Sequence, residues 1–314
     1  MKKTLFYSFS IVAFFAYSNA YADKCQTVNG QEKCYDARGN LTSIVGQGRN
    51  SYYEYVYDQK GNVLSKKDYS GNPDNGGTLS NVYLYTYDSN DNQSLREHYN
   101  GEPEQGAVLK DVHAYTYNAD GKMIADRTYS ADPSSGAQAY DTYTYTYDAK
   151  GNMTSKLHYN GDPNRGTPVY YGETYAYDDK NNMIMQKEYY GDPNNSSTPV
   201  YMSRQYDYDD KGNKILYTSW SGDPDNGGHL SNVYTVYQYD DDGNMIYSAD
   251  YYGSDPEKGG SPTVSYNYTY SDHYFNGRGS YNDDLHLCGT KCTVSEASDA
   301  TYDNSKNVVT INFK

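Results

Sequence analysis

Aromatic and polar residues alternate with a two-residue period through most of this chain. In the representative segment 143–160, Tyr143, Tyr145 and Tyr147 alternate with threonines, and a short polar stretch then leads into a second alternating run. A two-residue period is that of a β-strand, and tyrosine and threonine both favour strands. The pattern therefore predicts two strands joined by a turn.

The polar stretch between the two runs, Asp-Ala-Lys-Gly-Asn at 148–152, matches a three-residue hairpin loop. Such a loop is a type I turn followed by a left-handed residue that forms a bulge. Asp148 is placed to cap the turn through its side chain, and Gly151 is placed at the left-handed position. Aspartate and asparagine tolerate that conformation best among the other residues. The same turn is therefore predicted at the equivalent positions, which hold Gly39, Gly61, Asp91, Gly121, Asn181, Gly212 and Gly243.

Pairing across this hairpin is predicted by counting outward from the turn. Tyr147 is expected opposite Met153, and Tyr145 opposite Ser155, on one face of the sheet. Other units hold valine or methionine at the position of Met153, so the tyrosine-bearing face is expected to be the more apolar one.

The unit recurs every 30 or 31 residues. Its last tyrosine stands at Tyr57, Tyr87, Tyr117, Tyr147, Tyr177, Tyr208, Tyr239 and Tyr270. Twelve residues later a second aromatic position holds Tyr69, Tyr99, Tyr129, Tyr159, Tyr189, Trp220 and Tyr251. Self-similarity at a fixed period is the signature of a repeat architecture.

Each unit ends in a wider loop built on a sequence such as Gly-Asp-Pro at 161–163. Proline fixes φ for the first position of a turn, and the residue before it can cap that turn. One unit is therefore strand, tight turn, strand and wider turn, and seven units over 51–265 predict about fourteen strands. The predicted fold is all-β, an elongated array of antiparallel β-hairpins that needs caps at its ends.

The first 22 residues have the features of a secretory signal peptide. Lys2 and Lys3 precede a short apolar run, and Ala20-Tyr21-Ala22 fits a cleavage site. The apolar run is too short to span a bilayer as a permanent helix, so no membrane insertion is expected after cleavage. The chain is expected to be exported to a periplasm, the cell surface or the medium.

Cysteine pairs flank the repeats. Cys25 and Cys34 lie on either side of an Asn-Gly turn in the predicted N-terminal cap, 23–50, where counting outward places them opposite each other. An oxidising compartment favours a disulfide there. Cys288 and Cys292, in the predicted C-terminal cap 266–314, are expected to pair likewise, because two cysteines without a histidine at ligand spacing make a poor zinc site.

Composition and charge narrow the range of partners. Tyrosine accounts for 43 of 314 residues, and the formal net charge is −15. This charge argues against nucleic acid and anionic lipid surfaces as partners and favours solubility. The abundance of aromatic residues argues against a disordered chain.

The sequence contains no recognisable catalytic or cofactor-binding motif. The six histidines do not recur at one position, and His98 and His158 are interpreted as solvated strand residues. The acidic turn at Asp240 lacks the glycine and glutamate positions of a calcium-binding EF-hand loop, so a bulged hairpin turn is the favoured interpretation. We expect no enzyme activity, no metal site and no cofactor; a metal-dependent hydrolase that uses turn carboxylates is the rival hypothesis.

The tyrosine ladders allow two interpretations. They form the core, or part of their face is open and binds sugars or a partner protein, because tyrosine combines a flat apolar ring with a polar tip. For binding, the candidate residues are the strand-end aromatics Tyr159, Tyr189, Trp220 and Tyr251.

The motif Tyr-x-Tyr-Asp-x-x-Gly-Asn, as at 145–152, resembles the YD repeat of bacterial RHS proteins, wall-associated proteins and teneurins. The resemblance covers about 35–307 and implies an array of hairpins. The Gly-Asp-Pro loop makes most units longer than the family's usual repeat, and no segment resembles an RHS core or toxin domain. The resemblance therefore implies a short exported form of this repeat type.

Together these features predict an exported, non-enzymatic binding or adhesion module that presents a tyrosine-rich, acidic β surface to glycans or a cell-surface protein. One alternative is a structural spacer or envelope component without a ligand. Another alternative is a toxin-associated fragment of the RHS type.

Overall fold

The computed structural model confirms the all-β prediction. It describes residues 24–28, 31–45, 51–253, 256–269, 297–303 and 308–313. Within these ranges the regular elements are β-strands and short 3-10 turns, and none of the described helical turns is long enough to cross a membrane. The chain divides after Asp111 into two compact units.

The first unit, 1–111, is a meander in which each strand pairs antiparallel with the next. Two 3-10 turns, Pro73–Asn75 and Pro103–Gln105, lie in its wide loops. Its strands are β1 (Lys24–Val28), β2 (Gln31–Tyr35), β3 (Leu41–Val45), β4 (Ser51–Tyr57), β5 (Val63–Ser70), β6 (Thr78–Tyr87) and β7 (Gln93–Tyr99). Strand β8 (Leu109–Tyr117) crosses the boundary after Asp111.

The second unit, 112–314, continues the same pattern of antiparallel neighbours from β8 to β18. Its 3-10 turns are Pro133–Ser135, Pro163–Arg165, Pro224–Asn226 and Pro256–Lys258. Its strands are β9 (Met123–Tyr129), β10 (Ala139–Tyr147), β11 (Met153–Tyr159), β12 (Tyr171–Tyr177), β13 (Met183–Tyr189), β14 (Val200–Tyr208), β15 (Lys214–Ser221), β16 (His229–Tyr239), β17 (Met245–Tyr251), β18 (Val264–Thr269), β19 (Ala297–Asp303) and β20 (Val308–Phe313).

Strands β4 to β17 form the seven predicted hairpins, fourteen strands in all. The end of the second unit departs from the predicted antiparallel order. Strands β19 and β20 form an antiparallel hairpin, but β20 pairs parallel with β18.

The tight turns have the predicted geometry. In the β10–β11 turn the Asp148 amide donates to the Asn152 carbonyl at 2.9 Å, and the Gly151 amide donates to the Asp148 carbonyl at 3.0 Å. The Asp148 carboxylate accepts the Asn152 amide at 2.8 Å and the Asn152 side-chain amide at 3.0 Å. Gly151 has φ +89°, while Asp91 and Asn181 have φ +63° and +70° as the predicted substitutes. The carboxylate and the left-handed residue together fix the turn.

Strand pairing confirms one predicted contact and corrects another. Tyr147 lies opposite Met153, as predicted, but Tyr145 lies opposite Lys156, and Ser155 lies opposite Thr146. The predicted pairing of Tyr145 with Ser155 is therefore wrong. A bulge after the turn leaves one residue of β11 without an opposite partner. The pairing of the following residues is therefore shifted by one, and their side chains point to the other face.

This register separates the two sets of aromatic positions. Tyr143, Tyr145 and Tyr147 share one side of the sheet with Lys156, while Tyr159 lies opposite Thr142 on the other side. We call these sides the tyrosine face and the loop face. At two repeats a wide loop contacts the loop face. Pro193 lies so close to Gly172 that a Cβ added to the glycine would be 2.7 Å from it. In the other repeat the Ser203 hydroxyl donates to the Gly222 carbonyl at 2.6 Å.

Four of the fully buried side chains of the described residues are small and occupy equivalent positions on the loop face. Each stands opposite a strand-end aromatic residue, five residues before the last tyrosine of its unit. They are Val82, Val112, Thr142 and Ser203, with exposed fractions of 1, 0, 0 and 0%. The core thus consists of small residues covered by aromatic rings and loops.

The N-terminal hairpin is confirmed. Cys25 lies opposite Cys34, and the two form a disulfide with a Cα–Cα distance of 3.9 Å. The predicted Cys288–Cys292 pair lies outside the described residues.

Candidate binding surface

In six units the last tyrosine connects neighbouring hairpins. Its hydroxyl donates to the main-chain carbonyl at the start of the second strand of the preceding hairpin, 16 residues back for Tyr57 and 24 or 25 residues back elsewhere. The donors with these bonds, all 2.8–3.0 Å long, are Tyr57, Tyr87, Tyr147, Tyr177, Tyr208 and Tyr239. These tyrosines therefore hold hairpin to hairpin.

The middle tyrosine of the unit lies deeper in the tyrosine face. Burial raises the pKa of Tyr145 to about 12, and the nearby Asp126 carboxylate adds to the shift. Burial likewise raises the pKa of Tyr175, whose hydroxyl donates to Glu173. Desolvation disfavours the charged phenolate, so these hydroxyls remain neutral well above the ordinary tyrosine range.

Histidines on the tyrosine face stack on the tyrosines and bind carboxylates. In the first unit the His98 ring stacks on Tyr83 at 4.6 Å, and its Nδ1 lies 2.8 Å from Asp111. In the second unit the His158 ring stacks on Tyr143 at 4.5 Å. These rings are half-buried and paired, and are not the solvated strand residues expected from the sequence.

A row of exposed tyrosines lies in the second unit, at the end of the sheet that carries the wide loops. Tyr140, Tyr170 and Tyr201 stand seven residues before the last tyrosine of three successive repeats, with exposed fractions of 52, 56 and 48%. Tyr140 and Tyr201 each occupy the extra residue of a β-bulge, and Tyr170 directly precedes β12. A bulge redirects the side chain of its extra residue, which explains why the Tyr140 and Tyr201 rings depart from the alternation of their strands.

Ring contacts join part of this row into a cluster. Tyr190, 63% exposed, lies 4.6 Å from the Tyr201 ring and 6.0 Å from the Tyr171 ring, measured between centroids. The Tyr170 ring meets the edge of His158 at 5.6 Å. We call Tyr140, Tyr170, Tyr190 and Tyr201 the tyrosine platform. Clustered exposed aromatic rings are a common feature of interaction sites, which makes the platform a candidate for one.

Carboxylates border the platform. Asp141 lies 2.5 Å from His158 Nε2. Glu188 pairs with Arg204 and accepts a hydrogen bond from the Tyr171 hydroxyl. Of these two acceptors Glu188 is buried, so the half-exposed Asp141 carboxylate is the one that stands beside the apolar rings.

The predicted binding residues lie elsewhere. Tyr159, Tyr189, Trp220 and Tyr251 are half-buried on the loop face, opposite Thr142, Gly172, Ser203 and Tyr234. The Trp220 indole donates to Thr218 at 3.1 Å. The sequence interpretation missed the platform, although tyrosine recurs at its position in three successive units.

An open groove of about 560 Å³ lies between two successive tight turns, next to Tyr145 and Tyr147. In this unit Asn118 and Lys122 replace the usual Asp–Asn pair of the turn. Lys122 reaches across the groove and donates to the Gly151 carbonyl at 2.9 Å. The lysine thus connects the two turns and occupies part of the groove.

The acidic turn at Asp240 is a hydrogen-bonded hairpin turn. Its carboxylate accepts the Asn244 amide at 2.8 Å and the Asn244 side chain at 3.0 Å. Within the described residues, no group of three or more histidine, cysteine or acidic side chains is arranged to hold a metal ion.

No family model matches the sequence, and no curated protein matches it. Among solved structures, the chain is similar to the TcdB2-TccC3-TEV protein, with 13% identity and a TM-score of 0.42 over 74% of this chain and 14% of that one. It is also similar to a Tc holotoxin pore from Photorhabdus luminescens, with 13% identity and a TM-score of 0.30 over 70% of this chain and 13% of that one. A porin-like protein from Bacteroides uniformis matches with 9% identity and a TM-score of 0.28 over 73% of this chain and 86% of that one. The chain thus spans about one seventh of the Tc toxin chains, with which it shares a low structural similarity.

Proposed function

We propose that this protein is an exported, non-enzymatic binding module that contacts a glycan or a cell-surface protein through the tyrosine platform. The observation that carries the proposal is the exposure of Tyr140, Tyr170, Tyr190 and Tyr201, between 48 and 63%, within three successive repeats of the second unit. Exposing such rings to water is unfavourable, and covering them by a partner recovers that free energy.

Three further features support binding. The N-terminal segment 1–22 has the pattern of a secretory signal, which would bring the platform to an envelope or the medium. Tyrosine offers a large contact area at a low cost in side-chain entropy. The platform residues lie in bulges or directly beside strand ends, and the Tyr170 amide donates to the His158 carbonyl at 2.8 Å, so little backbone ordering is required when a partner binds.

Cell binding by the purified protein tests this function. We expect the fluorescently labelled protein to bind a subset of intact cells, and the double variant Tyr170→Ala, Tyr190→Ala to lose most of that binding. Tyr252→Ala is the matched control, because Tyr252 is 52% exposed but lies outside the platform. Circular dichroism and thermal melts establish that each variant remains folded. Equal binding by all three proteins, or binding by none, would refute the proposal.

A structural spacer is the second candidate, and the bonds between repeats favour it. Lys150, Lys180 and Lys211 each donate to a main-chain carbonyl of the next tight turn at 2.7–2.9 Å. At these three junctions the lysine bonds and the tyrosine hydroxyl bonds connect neighbouring hairpins at two places. A spacer predicts that platform variants have no effect on envelope integrity, whereas Tyr147→Phe with Tyr177→Phe weakens it.

A further inference from the structure

The platform repeats with the period of the sheet. Tyr140, Tyr170 and Tyr201 belong to successive hairpins, so neighbouring members of the three are attached to the sheet two strand spacings apart, about 10 Å. Tyr190 stands beside Tyr201, which extends the aromatic surface in that part of the row. A ligand that lies across the strands therefore meets a ring at regular intervals.

We propose that the ligand of the platform is a neutral, linear β-1,4-linked polysaccharide that lies across the strands and stacks its sugar rings on Tyr140, Tyr170 and Tyr201. In an extended chain of this linkage every second sugar presents the same face, and that repeat has a length similar to the tyrosine spacing. The apolar face of each such sugar packs on an aromatic ring, as expected for a flat amphipathic side chain.

A hydrogen-bond acceptor beside the rings fits a ligand hydroxyl. Asp141 presents a half-exposed carboxylate that His158 holds in position, whereas Glu188 is buried and pairs with Arg204. Hydrogen bonds to ionised acceptors are stronger than neutral ones, and a sugar hydroxyl supplies the required O–H. The formal net charge of −15 opposes an acidic polysaccharide.

A proline-rich peptide also repeats at a similar interval and stacks on aromatic rings. It presents mainly carbonyl acceptors, however, because proline has no amide proton. The Asp141 carboxylate only accepts when ionised, so it provides nothing for those carbonyls. The acceptor at this position therefore favours the polysaccharide.

This inference rests on the proposed function, and its test uses defined probes. Isothermal titration calorimetry of the purified protein with cellohexaose, cellobiose, polygalacturonate and a polyproline peptide measures each affinity separately. We expect cellohexaose to bind more tightly than cellobiose, because only the longer chain reaches successive rings. Tyr170→Ala should weaken cellohexaose binding on the order of tenfold, while Tyr170→Phe, which keeps the ring, should retain most of it.

The matched control is Tyr252→Ala, which should bind like the unaltered protein. No cellohexaose binding, equal binding of both cello-oligosaccharides, or preference for polygalacturonate or the peptide would each overturn the inference. If cellohexaose fails while Tyr170→Ala with Tyr190→Ala still abolishes cell binding, the binding function stands and the ligand class is wrong. If both assays are negative, the binding function is refuted as well.

Discussion

The hydroxyl of Tyr147 donates a 2.8 Å hydrogen bond to the main-chain carbonyl of Met123, 24 residues earlier in the chain. Met123 begins β9, and its carbonyl lies next to the tight turn of the preceding hairpin. The bond explains why this position holds tyrosine, since phenylalanine would supply the ring without the donor. Equivalent bonds connect five other hairpins to the hairpin before them.

Removing that hydroxyl should weaken the fold. We expect Tyr147→Phe to reduce the free energy of unfolding by about 0.5–1.5 kcal/mol, because the Met123 carbonyl loses a partner. Urea denaturation followed by circular dichroism measures the change. Tyr252→Phe, at a position that is 52% exposed, should leave the midpoint unchanged. Equal effects of the two variants would contradict the role of the hydroxyl.

The tight turns should make stability depend on acid pH. The hydrogen bond from the Asn152 side chain, followed by bonds from main-chain amides, holds the pKa of Asp148 below its ordinary value of 3.8. Asp148 therefore contributes stability above pH 3.8 that is lost as the pH falls through the lower folded pKa.

Asp148→Asn should keep the turn, since Asn118 makes the same main-chain contacts in its own unit at 2.9–3.0 Å. We expect this variant to unfold with a shallower pH dependence below pH 3.8 than the unaltered protein. Denaturant midpoints between pH 2 and pH 6 provide the measurement. An unchanged slope would show that the carboxylate does not titrate as described.

At alkaline pH the middle tyrosines should behave differently from exposed ones. Burial raises the pKa of Tyr145 from 10.0 to about 12, so its neutral form is favoured in the folded state. The resulting stability is complete below pH 10 and is lost as the pH rises towards 12. Ultraviolet difference spectra of the unaltered protein and Tyr145→Phe should differ mainly above pH 11. A difference centred at pH 10 would refute the shift.

Gly172 should tolerate no side chain. A Cβ there would lie 2.7 Å from Pro193 Cδ, 3.0 Å from the Gly191 carbonyl and 3.2 Å from Leu157 Cδ2. We expect Gly172→Ala to reduce the free energy of unfolding by about 1–3 kcal/mol through overpacking beneath the wide loop. Ala176→Val, on an exposed position of the same strand, should change it by less than about 0.5 kcal/mol. Comparable losses from the two substitutions would show that the loop does not restrict Gly172.

The sequence by itself determined the hairpin unit, its count and its turn chemistry. These features depend on local interactions: a two-residue period, a carboxylate that caps its own turn, and a residue with positive φ such as Gly151, Asp91 or Asn181. The pairing of Cys25 with Cys34 could also be predicted from the sequence, because a two-residue turn fixes the register of the two strands that it joins.

Tertiary structure decided which face each aromatic residue occupies. The bulge after Met153 shifts the register by one residue, so Tyr145 meets Lys156 and not Ser155, and Tyr159 moves to the loop face. A second bulge, before Asp141, turns Tyr140 out into solvent. Successive side chains of a strand point to opposite faces of the sheet, so one extra residue at a bulge exchanges the two faces for the residues beyond it. The alternation of residue types along the sequence stays the same. Exposure of the tyrosine platform therefore required the pairing of strands and the placement of the wide loops.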